Sequence, residues 1–382
     1  MTNRLARIDA LRGVAILMVL QLHHLSSSRA YQHLGLPDWT GALLGGGRAG
    51  VDLFFVLSAY LLTSNLLRHR ERPMLAPTFY LRRAFRILPM YLLLLTAGMS
   101  LATVLYSGGA TPGAWLWRDR YPLWIYLTFQ QNWVSGWQGY PVAQFFGPTW
   151  SLAVEEHFYL LLPLLATRLP PRRLAIVAAV WIIAALPIRA LLFGDVSAVA
   201  AYAWTIGRMD TFGWGILLAL VPMLWPDLPK RLDPAFAIKL GAMIFVVAST
   251  LSPELLPGMQ ETILYPSWTA LASALATYGV VHRREASASG AVVRALEWCG
   301  RRCYSLYLIH MPVMGLVFLL AGKDRPLGVD ASSFALLGLS AAISFALADV
   351  CYRRIELPFM TMAERFAPYR GQPTQRTSAA TG

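Results

Sequence analysis

Long apolar runs recur along the sequence and constrain its fold more than any other feature. Hydrophobic residues make up 56% of the 382 residues, charged residues only 14%, and the mean hydropathy is +0.49. A helix needs roughly 17 to 25 mainly apolar residues to cross a bilayer. The pattern predicts an all-α polytopic membrane bundle of about ten transmembrane helices. The predicted spans lie near 11–30, 49–66, 84–106, 150–167, 174–193, 202–226, 236–252, 263–281, 303–321 and 333–352.

The distribution of basic residues predicts the orientation of these helices. A further apolar run, 121–133, is short, and letting it cross would place the arginines of 168–173 outside. If it does not cross and the N-terminus is cytoplasmic, most of the 33 lysines and arginines lie on the cytoplasmic side, as the positive-inside rule requires. We therefore predict that both termini are cytoplasmic and that 121–133 is an interfacial or re-entrant segment.

The chain is expected to form one membrane domain, residues 1–366, and a disordered cytoplasmic tail, residues 367–382, because the tail is polar and rich in Pro, Thr and Gly. No small-residue cleavage site follows the first apolar run, so we expect that run to be retained. The net charge of +13 does not indicate nucleic-acid binding, since the basic residues form short clusters between apolar runs. Three cysteines without CxxC spacing predict neither a disulfide nor a metal site.

The first predicted span, LRGVAILMVLQLHHL, carries an arginine and a histidine on one face. Arg12 and His23 are eleven residues apart, which returns to the same side of a helix after a rise of about 16 Å. Ionisable residues within a span are costly and usually mark a site. A plain alternative is that Arg12 anchors the helix at the inner boundary and that His23 is a hydrogen-bonded structural residue.

The segment TWSLAVEEHFYLLLP places an acid between two hydroxyls. Ser151, Glu155 and Tyr159 follow at i, i+4 spacing and share one helical face. A carboxylate held near an imidazole would raise its basicity. We expect Glu155 to be the functional acid, because the neighbouring Glu156 must point another way.

The segment FYLRRAFRILPMY begins a helix with Arg82, Arg83 and Arg86. Arg83 and Arg86 lie one turn apart, so their guanidinium groups can converge on a phosphate. The same residues also satisfy the positive-inside rule and suit contact with anionic membrane lipid.

Two further segments carry buried polar groups. Arg208 and Asp210, in GRMDTFGWGILLA, are two residues apart and do not share a helix face, so a structural network with other helices is the favoured interpretation. His310, in YSLYLIHMP, precedes Pro312, whose freed carbonyl could accept a proton from its ring. Structural and functional roles for His310 are equally open.

Six segments together resemble a known family, the acyltransferase-3 integral membrane acyltransferases. They are the Arg12 to His23 spacing, GVDLFFVLSAYL, RRAFRILPMY, WSLAVEEHFYLLLP, GRMDTFGWG and YSLYLIHMP, which occur in the family's order between Arg7 and about Phe359. One departure is that Ala59 and Tyr60 follow Ser58, where the family commonly has a Gly-aromatic pair. Alanine is small enough for the close helix approach to survive.

The resemblance implies a bacterial inner-membrane enzyme that transfers an acyl group, such as acetyl, from acyl-CoA to a hydroxyl of a carbohydrate or glycolipid. It implies that His23 is the essential histidine with Arg12 as its partner, that Arg83 and Arg86, assisted by Arg82, bind acyl-CoA, and that Glu155 is the motif acid. It implies no metal. The stand-alone branch, without a fused hydrolase-like domain, implies a separate periplasmic acyl-handling partner.

The expected mechanism places the thioester beside His23, at the end of a continuous passage from Arg83 and Arg86. His23, oriented by Glu155 or another acid, would act as a general base or carry the acyl group transiently. The alternative is a proton-coupled transporter or flippase of an acylated or sugar metabolite, in which the histidine and the acid relay protons.

Overall fold

The structure is a computed structural model that describes residues 2–26, 37–106, 121–139, 144–255, 260–283, 290–323 and 330–369. Within these ranges the chain is helical and contains no β-strand. The helices that build the bundle are α1 (Thr2–Gln21), α2 (Ala49–Arg68), α3 (Leu75–Tyr106), α4 (Thr149–Arg168), α5 (Pro171–Asp195), α6 (Met209–Leu224), α7 (Pro234–Leu255), α8 (Tyr265–His282), α9 (Ala291–Arg301), α10 (Cys303–Leu320), α11 (Ala331–Cys351) and α12 (Leu357–Phe366).

Shorter elements connect these helices or extend them. The short α-helices are Asp38–Gly45, Leu123–Leu127, Gln131–Gln138, Ala198–Ala203 and Leu228–Arg231, and the 3-10 helices are Gly46–Arg48, Gln144–Phe146 and Thr205–Arg208. Three π-helical turns follow α1, precede α8 and join α11 to α12; they are Leu22–Ser26, Gln260–Leu264 and Tyr352–Glu356. Isolated π turns often occur where a helix presents functional residues.

Each predicted span overlaps one of the helices α1 to α8, α10 and α11. Two of them differ in extent: α1 begins at Thr2, nine residues before the predicted 11–30, and the predicted 202–226 is divided among Ala198–Ala203, Thr205–Arg208 and α6. Within the described ranges, five helical stretches are both long and apolar enough to cross a membrane: Trp39–Arg68, Leu75–Leu101, Pro171–Asp195, Cys303–Leu320 and Ala331–Phe366. The all-α class and the membrane character are thereby confirmed. The number of crossings and the side of each terminus stay predictions.

The short apolar run 121–133 does not form one long helix. It is divided between two short helices by a turn in which Phe129 has a φ of +55°, a conformation that breaks a helix. The side-chain amide of Gln131 is buried and donates to the carbonyl of Thr149, 2.9 Å away. The segment therefore packs onto the start of α4, and its place relative to the membrane stays a prediction.

Helix α2 lies at the centre of the bundle, in contact with α1, α4, α6 and α8. It is apolar on nearly all sides, as a helix surrounded by other helices must be. Gly215 of α6 faces Ala59 and the carbonyl of Val56 so closely that a β-carbon at Gly215 would overlap both. The prediction that alanine at 59 preserves close helix approach is confirmed.

The amphipathic helix α9 packs along the first half of α1. The two backbones approach most closely at Gly300, where a β-carbon would overlap the carbonyl of Asp9. This contact fixes the turn of α1 that carries Asp9 and Arg12, whose side chains form an ion pair of 3.2 Å.

The ordered chain continues past the predicted end of the membrane domain at residue 366. Ala367 and Tyr369 are both buried, and the amide of Asn65 donates to the Tyr369 hydroxyl over 2.9 Å. The start of the predicted tail is therefore attached to the bundle, since Tyr369 bonds α2 and the carbonyl of Ala367 accepts from Arg82 of α3; residues 370–382 lie outside the described residues.

Candidate active site

A cavity between five helices collects most of the residues singled out in the sequence. It has a volume of about 750 Å³, including its open mouth. We call it the central cavity. One face of each helix lines it: Arg12 of α1; Val51, Phe54, Phe55 and Ser58 of α2; Arg83, Arg86 and Ile87 of α3; Ser151, Leu152, Glu155 and Tyr159 of α4; and Cys303, Tyr304 and Tyr307 of α10.

Basic side chains dominate the charge of the central cavity. Arg12, Arg83 and Arg86 line it, against one lining carboxylate, Glu155. Arg83 and Arg86 lie one turn apart on α3, as predicted, and both charges act on Glu155. A half-buried group of guanidiniums with few counter-charges favours an anion such as a phosphate.

The acid of the α4 motif lies on the cavity wall with the two hydroxyls predicted to flank it, since Ser151, Glu155 and Tyr159 all line the cavity. The Glu155 carboxylate interacts with the hydroxyls of Tyr159 and Ser58, which are 2.7 Å from each other. Glu156 is not among the lining residues, which agrees with the expectation that the two acids point different ways.

Two hydroxyls on the wall of the central cavity bond to each other. Ser151 Oγ and Tyr307 Oη are 2.5 Å apart, and both also lie 3.1 Å from the carbonyl of Pro148. This Ser151–Tyr307 bridge ties α4 to α10. One turn further along α10 lies His310, whose ring centroid is 6.0 Å from that of Tyr307.

His23 and His310 form a pair, in which His310 is fully buried and His23 is half-buried. His23 lies in the π turn Leu22–Ser26, and its Nδ1 is 3.0 Å from the carbonyl of Val19 and 3.1 Å from His310 Nε2. His310 Nδ1 is 3.1 Å from the carbonyl of Leu306. The two rings are tilted by 45° with centroids 4.9 Å apart.

The backbone carbonyls assign the protons of this neutral pair. A carbonyl oxygen only accepts, so Nδ1 of each ring carries the hydrogen. The one hydrogen on His23 Nδ1 is then shared between the Val19 carbonyl and His310 Nε2, both of which accept, and His23 Nε2 keeps its lone pair. No described residue donates to His23 Nε2. A neutral imidazole in this tautomer is a base.

The position of His23 differs from the prediction in two respects. His23 is not among the residues that line the central cavity; the lining residue nearest to the histidine pair along α10 is Tyr307, one turn before His310. Its side-chain partner among the described residues is His310 and not Glu155. The physical reasons are the bulk of Tyr307 on α10 and the π turn, which changes the helical period on which the shared face of Arg12 and His23 was predicted.

Arg82 also points away from the central cavity. Its Nε donates to the carbonyl of Ala367 over 2.8 Å, and its guanidinium lies over the ring of Tyr369 at 4.4 Å. Adjacent residues on a helix differ by about 100° in direction, so Arg82 faces the segment at Ala367 while Arg83 faces the central cavity.

Arg208 and Asp210 belong to a structural network outside the cavity, as the favoured interpretation predicted. Arg208 forms an ion pair with Asp52, and Asp210 accepts from Arg189 over 2.9 Å. All four side chains are at most 2% exposed. Thr269 also donates to Asp52, at 2.7 Å. The two pairs tie α2, α5, α6 and α8 together.

Local spacing did not reveal several residues of the site. Glu356 is buried in the last π turn, accepts from the Ser305 amide at 3.1 Å and from its hydroxyl, and is the main negative charge acting on Arg86. Tyr307 and Ser58 also line the cavity. The available signal for Glu356 was an acid followed by Leu-Pro at the end of the last apolar run. Within the described ranges, no three His, Cys, Asp or Glu side chains are grouped to hold a metal ion.

Comparisons with known proteins agree with the motifs. The acyltransferase domain family matches residues 5–353. A provisionally named O-acetyltransferase of Staphylococcus aureus (strain COL) and the O-acetyltransferase OatA of S. aureus (strain NCTC 8325 / PS 47) are each 28% identical over 92% of this chain and 56% of the relative. A provisionally named membrane-bound transacylase, BcsY of Komagataeibacter xylinus, is 31% identical over 81% of this chain and 73% of the relative.

The extent of these matches decides what they establish. The chain spans little more than half of the length of the Staphylococcus relatives, 56%. No solved structure is significantly similar to it. The family match, however, includes all five helices that line the central cavity. The chain therefore belongs to the acyltransferase family that its six motifs resemble.

Proposed function

We propose that the protein is a membrane O-acyltransferase that moves an acyl group, acetyl in the simplest case, from cytoplasmic acyl-CoA to a hydroxyl of a carbohydrate or glycoconjugate. The observation that carries the proposal is the convergence of three arginines and one acid on a single cavity, in a chain of the acyltransferase family. The names of the relatives, O-acetyltransferases and a transacylase, support the same reaction.

The arginines of the central cavity suit the donor. The CoA part of acyl-CoA carries several phosphates, and the fork of a guanidinium binds phosphate oxygens through charge-assisted hydrogen bonds. Arg83 and Arg86 would hold the pyrophosphate at the mouth, with Arg12 beside them. The pantetheine arm would then extend along the aromatic wall of Phe54, Tyr304 and Tyr307 towards the histidine pair.

His23 is the proposed base. Its Nε2 would take the proton of the acceptor hydroxyl while the hydroxyl oxygen attacks the thioester carbonyl. The C–S bond breaks, and CoA leaves as a thiol once it has taken a proton. An acyl group carried for a time on His23 Nε2 is the second route, and it uses the same lone pair. Either route would have the Ser151–Tyr307 bridge open, because both residues line the central cavity and the Tyr307 ring is next to that of His310.

The membrane arrangement belongs to the same proposal. With ten crossings and both termini cytoplasmic, the arginine end of the central cavity faces the cytoplasm and the histidines lie deeper in the bilayer. An acceptor would arrive from the other side of a bacterial inner membrane. A separate periplasmic protein would pass the acyl group on, where transfer to a distant glycan is needed.

The test is a balance of products with the purified full-length protein in lipid vesicles. The protein is supplied with acetyl-CoA labelled in the acetyl group and with the glycan fraction of the host membranes. We expect free CoA thiol and labelled glycan in equal amounts. The rival function, a proton-coupled transporter, predicts flux driven by a proton gradient without loss of thioester, and that result would overturn the proposal.

A further inference from the structure

A second cavity lies where the loop between α2 and α3 meets the end of α12. It has a volume of about 940 Å³, including its open mouth, and we call it the side cavity. The side chains that carry the argument are Arg72, Thr78, Arg365, Phe366 and Tyr369, all of which line it.

The side cavity contains an arginine group that has no partner. Arg72 Nη1 is buried, and no described residue accepts a hydrogen bond from it. A buried donor without an acceptor is unfavourable, and an anion in the cavity would satisfy it. Arg365 is exposed on the opposite lip, and Thr78 offers a hydroxyl. None of the described residues that line the side cavity is acidic.

An exposed aromatic ring lies beside this positive charge. Phe366 is 68% exposed and lines the side cavity. Such a ring offers a face to a planar base, and stacking of this kind does not depend on the identity of the base. One side of the Phe366 ring packs near Phe85, with centroids 6.3 Å apart, and the rest of the ring is exposed. A guanidinium next to an exposed aromatic ring is suited to a phosphorylated nucleoside.

Tyr369 connects the side cavity with the central cavity. Its ring stacks on His69 with centroids 4.5 Å apart, and Arg82 lies over the ring at 4.4 Å, so the ring is held rigidly. Tyr369 also acts electrostatically on Arg83, which lines the central cavity. Tyr369, which lines the side cavity, is therefore close enough to Arg83 for their charges to interact, and a ligand anchored at Arg83 lies near the side cavity.

We propose that the side cavity binds the adenosine 3′-phosphate end of acyl-CoA. The phosphate monoester lies against Arg72 and Arg365, the adenine ring lies on Phe366, and the pyrophosphate bridges past Tyr369 to Arg83. This inference rests on the proposed function. It adds that the protein recognises the nucleotide end of its donor and not only the thioester arm. It also gives Arg82 a role, because Arg82 holds the segment 367–369 that separates the two cavities.

The experiment compares two donors that differ only in the proposed contact. Binding of acetyl-CoA and of acetyl-3′-dephospho-CoA is measured by calorimetry on the full-length protein in neutral-lipid nanodiscs. Loss of a charge-assisted hydrogen bond costs about tenfold or more in affinity. We expect wild type to bind acetyl-CoA at least about tenfold more tightly than the dephospho form, and Arg72→Gln to bring that ratio close to one without weakening the dephospho form.

Two further variants and a separate measurement of binding to lipid vesicles distinguish the possible outcomes. Arg365→Gln, at an exposed position, should also lower the ratio, whereas Arg173→Gln, which is exposed and lines neither cavity, should leave it unchanged. A ratio unaffected by both cavity variants would overturn the inference. If Arg72 instead governs binding to vesicles of phosphatidylglycerol, the cavity belongs to lipid phosphate and the inference is wrong. Failure of wild type to bind either donor would instead contradict the proposed function.

Discussion

His310 Nε2 lies 3.1 Å from His23 Nδ1, although 287 residues separate the two histidines in the sequence. Because His310 Nδ1 donates to the carbonyl of Leu306, its Nε2 can only accept. Together with the Val19 carbonyl, this acceptor favours the tautomer of His23 that has its hydrogen on Nδ1, and it leaves His23 Nε2 as a base. His310 is thus a positioning residue in the proposed reaction, and the relationship leads to the first prediction.

Replacing His310 should impair the chemical step and spare donor binding. For His310→Ala we expect kcat to fall by about tenfold to a hundredfold, the usual cost of removing a group that orients a reactive ligand. The Kd for acetyl-CoA should change little, because His310 does not line the central cavity. A pH profile of kcat should shift as well, since the neighbour that fixes the protons of His23 is gone. Loss of donor affinity with an unchanged pH profile would indicate a merely structural role.

Replacing the paired arginines Arg83 and Arg86 should weaken binding of the donor. In Arg83→Ala with Arg86→Ala, two forked donors to phosphate are removed, so we expect acetyl-CoA affinity to fall by tenfold or more. The measurement is a binding isotherm, with Arg172→Gln as a control at an exposed position outside the cavity. An unchanged affinity would mean that Arg83 and Arg86 do not bind the donor and only help to orient the helix in the membrane.

The bridge between Ser151 and Tyr307 should control access to the histidines. Tyr307→Phe removes the hydroxyl that bonds Ser151 and Pro148. With this wall of the cavity loosened, water should reach the thioester more easily, so we expect more CoA release in the absence of acceptor relative to transfer. Tyr278→Phe, which loses one hydroxyl contact to Leu232 elsewhere, is the control. Equal ratios of hydrolysis to transfer in both variants would contradict a gating role.

The ion pair between Arg189 and Asp210 should matter for stability. Both side chains are buried, and removing one partner leaves an uncompensated charge, at a cost of roughly 3 to 5 kcal/mol. Arg189→Met should therefore lower the midpoint of thermal unfolding in detergent clearly. The exposed pair of Lys230 and Asp227 offers a matched comparison, since Asp227→Asn should cost about 1 kcal/mol or less. Similar midpoints for the two variants would contradict this account of the network.

Part of the site follows from the sequence because helical spacing is local. Ser151, Glu155 and Tyr159 share a face by their i, i+4 spacing, and this face lines the central cavity. Arg83 and Arg86 are likewise one turn apart and point the same way. Apolar length was sufficient to predict the long helices. In each case the physical cause acts within a few residues.

The errors arise where the helix departs from its usual period or where partners are distant in sequence. His23 lies in a π turn, so a spacing argument from Arg12 does not place it. The bridge between Ser151 and Tyr307 joins residues 156 positions apart, and Ser305 and Glu356 are 51 apart. No local pattern specifies such contacts, since they depend on how the helices pack.

The account depends most directly on His23, and its adjacent histidine provides the control. His24 is buried and its Nδ1 bonds the carbonyl of Leu20, whereas the ring nitrogen that bonds His310 belongs to His23. The decisive measurement is the rate of acceptor-dependent CoA release by purified, folded His23→Ala and His24→Ala. We predict a loss of about 10²–10⁴-fold for His23→Ala, the usual contribution of a positioned base, and a much smaller loss for His24→Ala. A rate for His23→Ala within a few-fold of wild type would contradict the account.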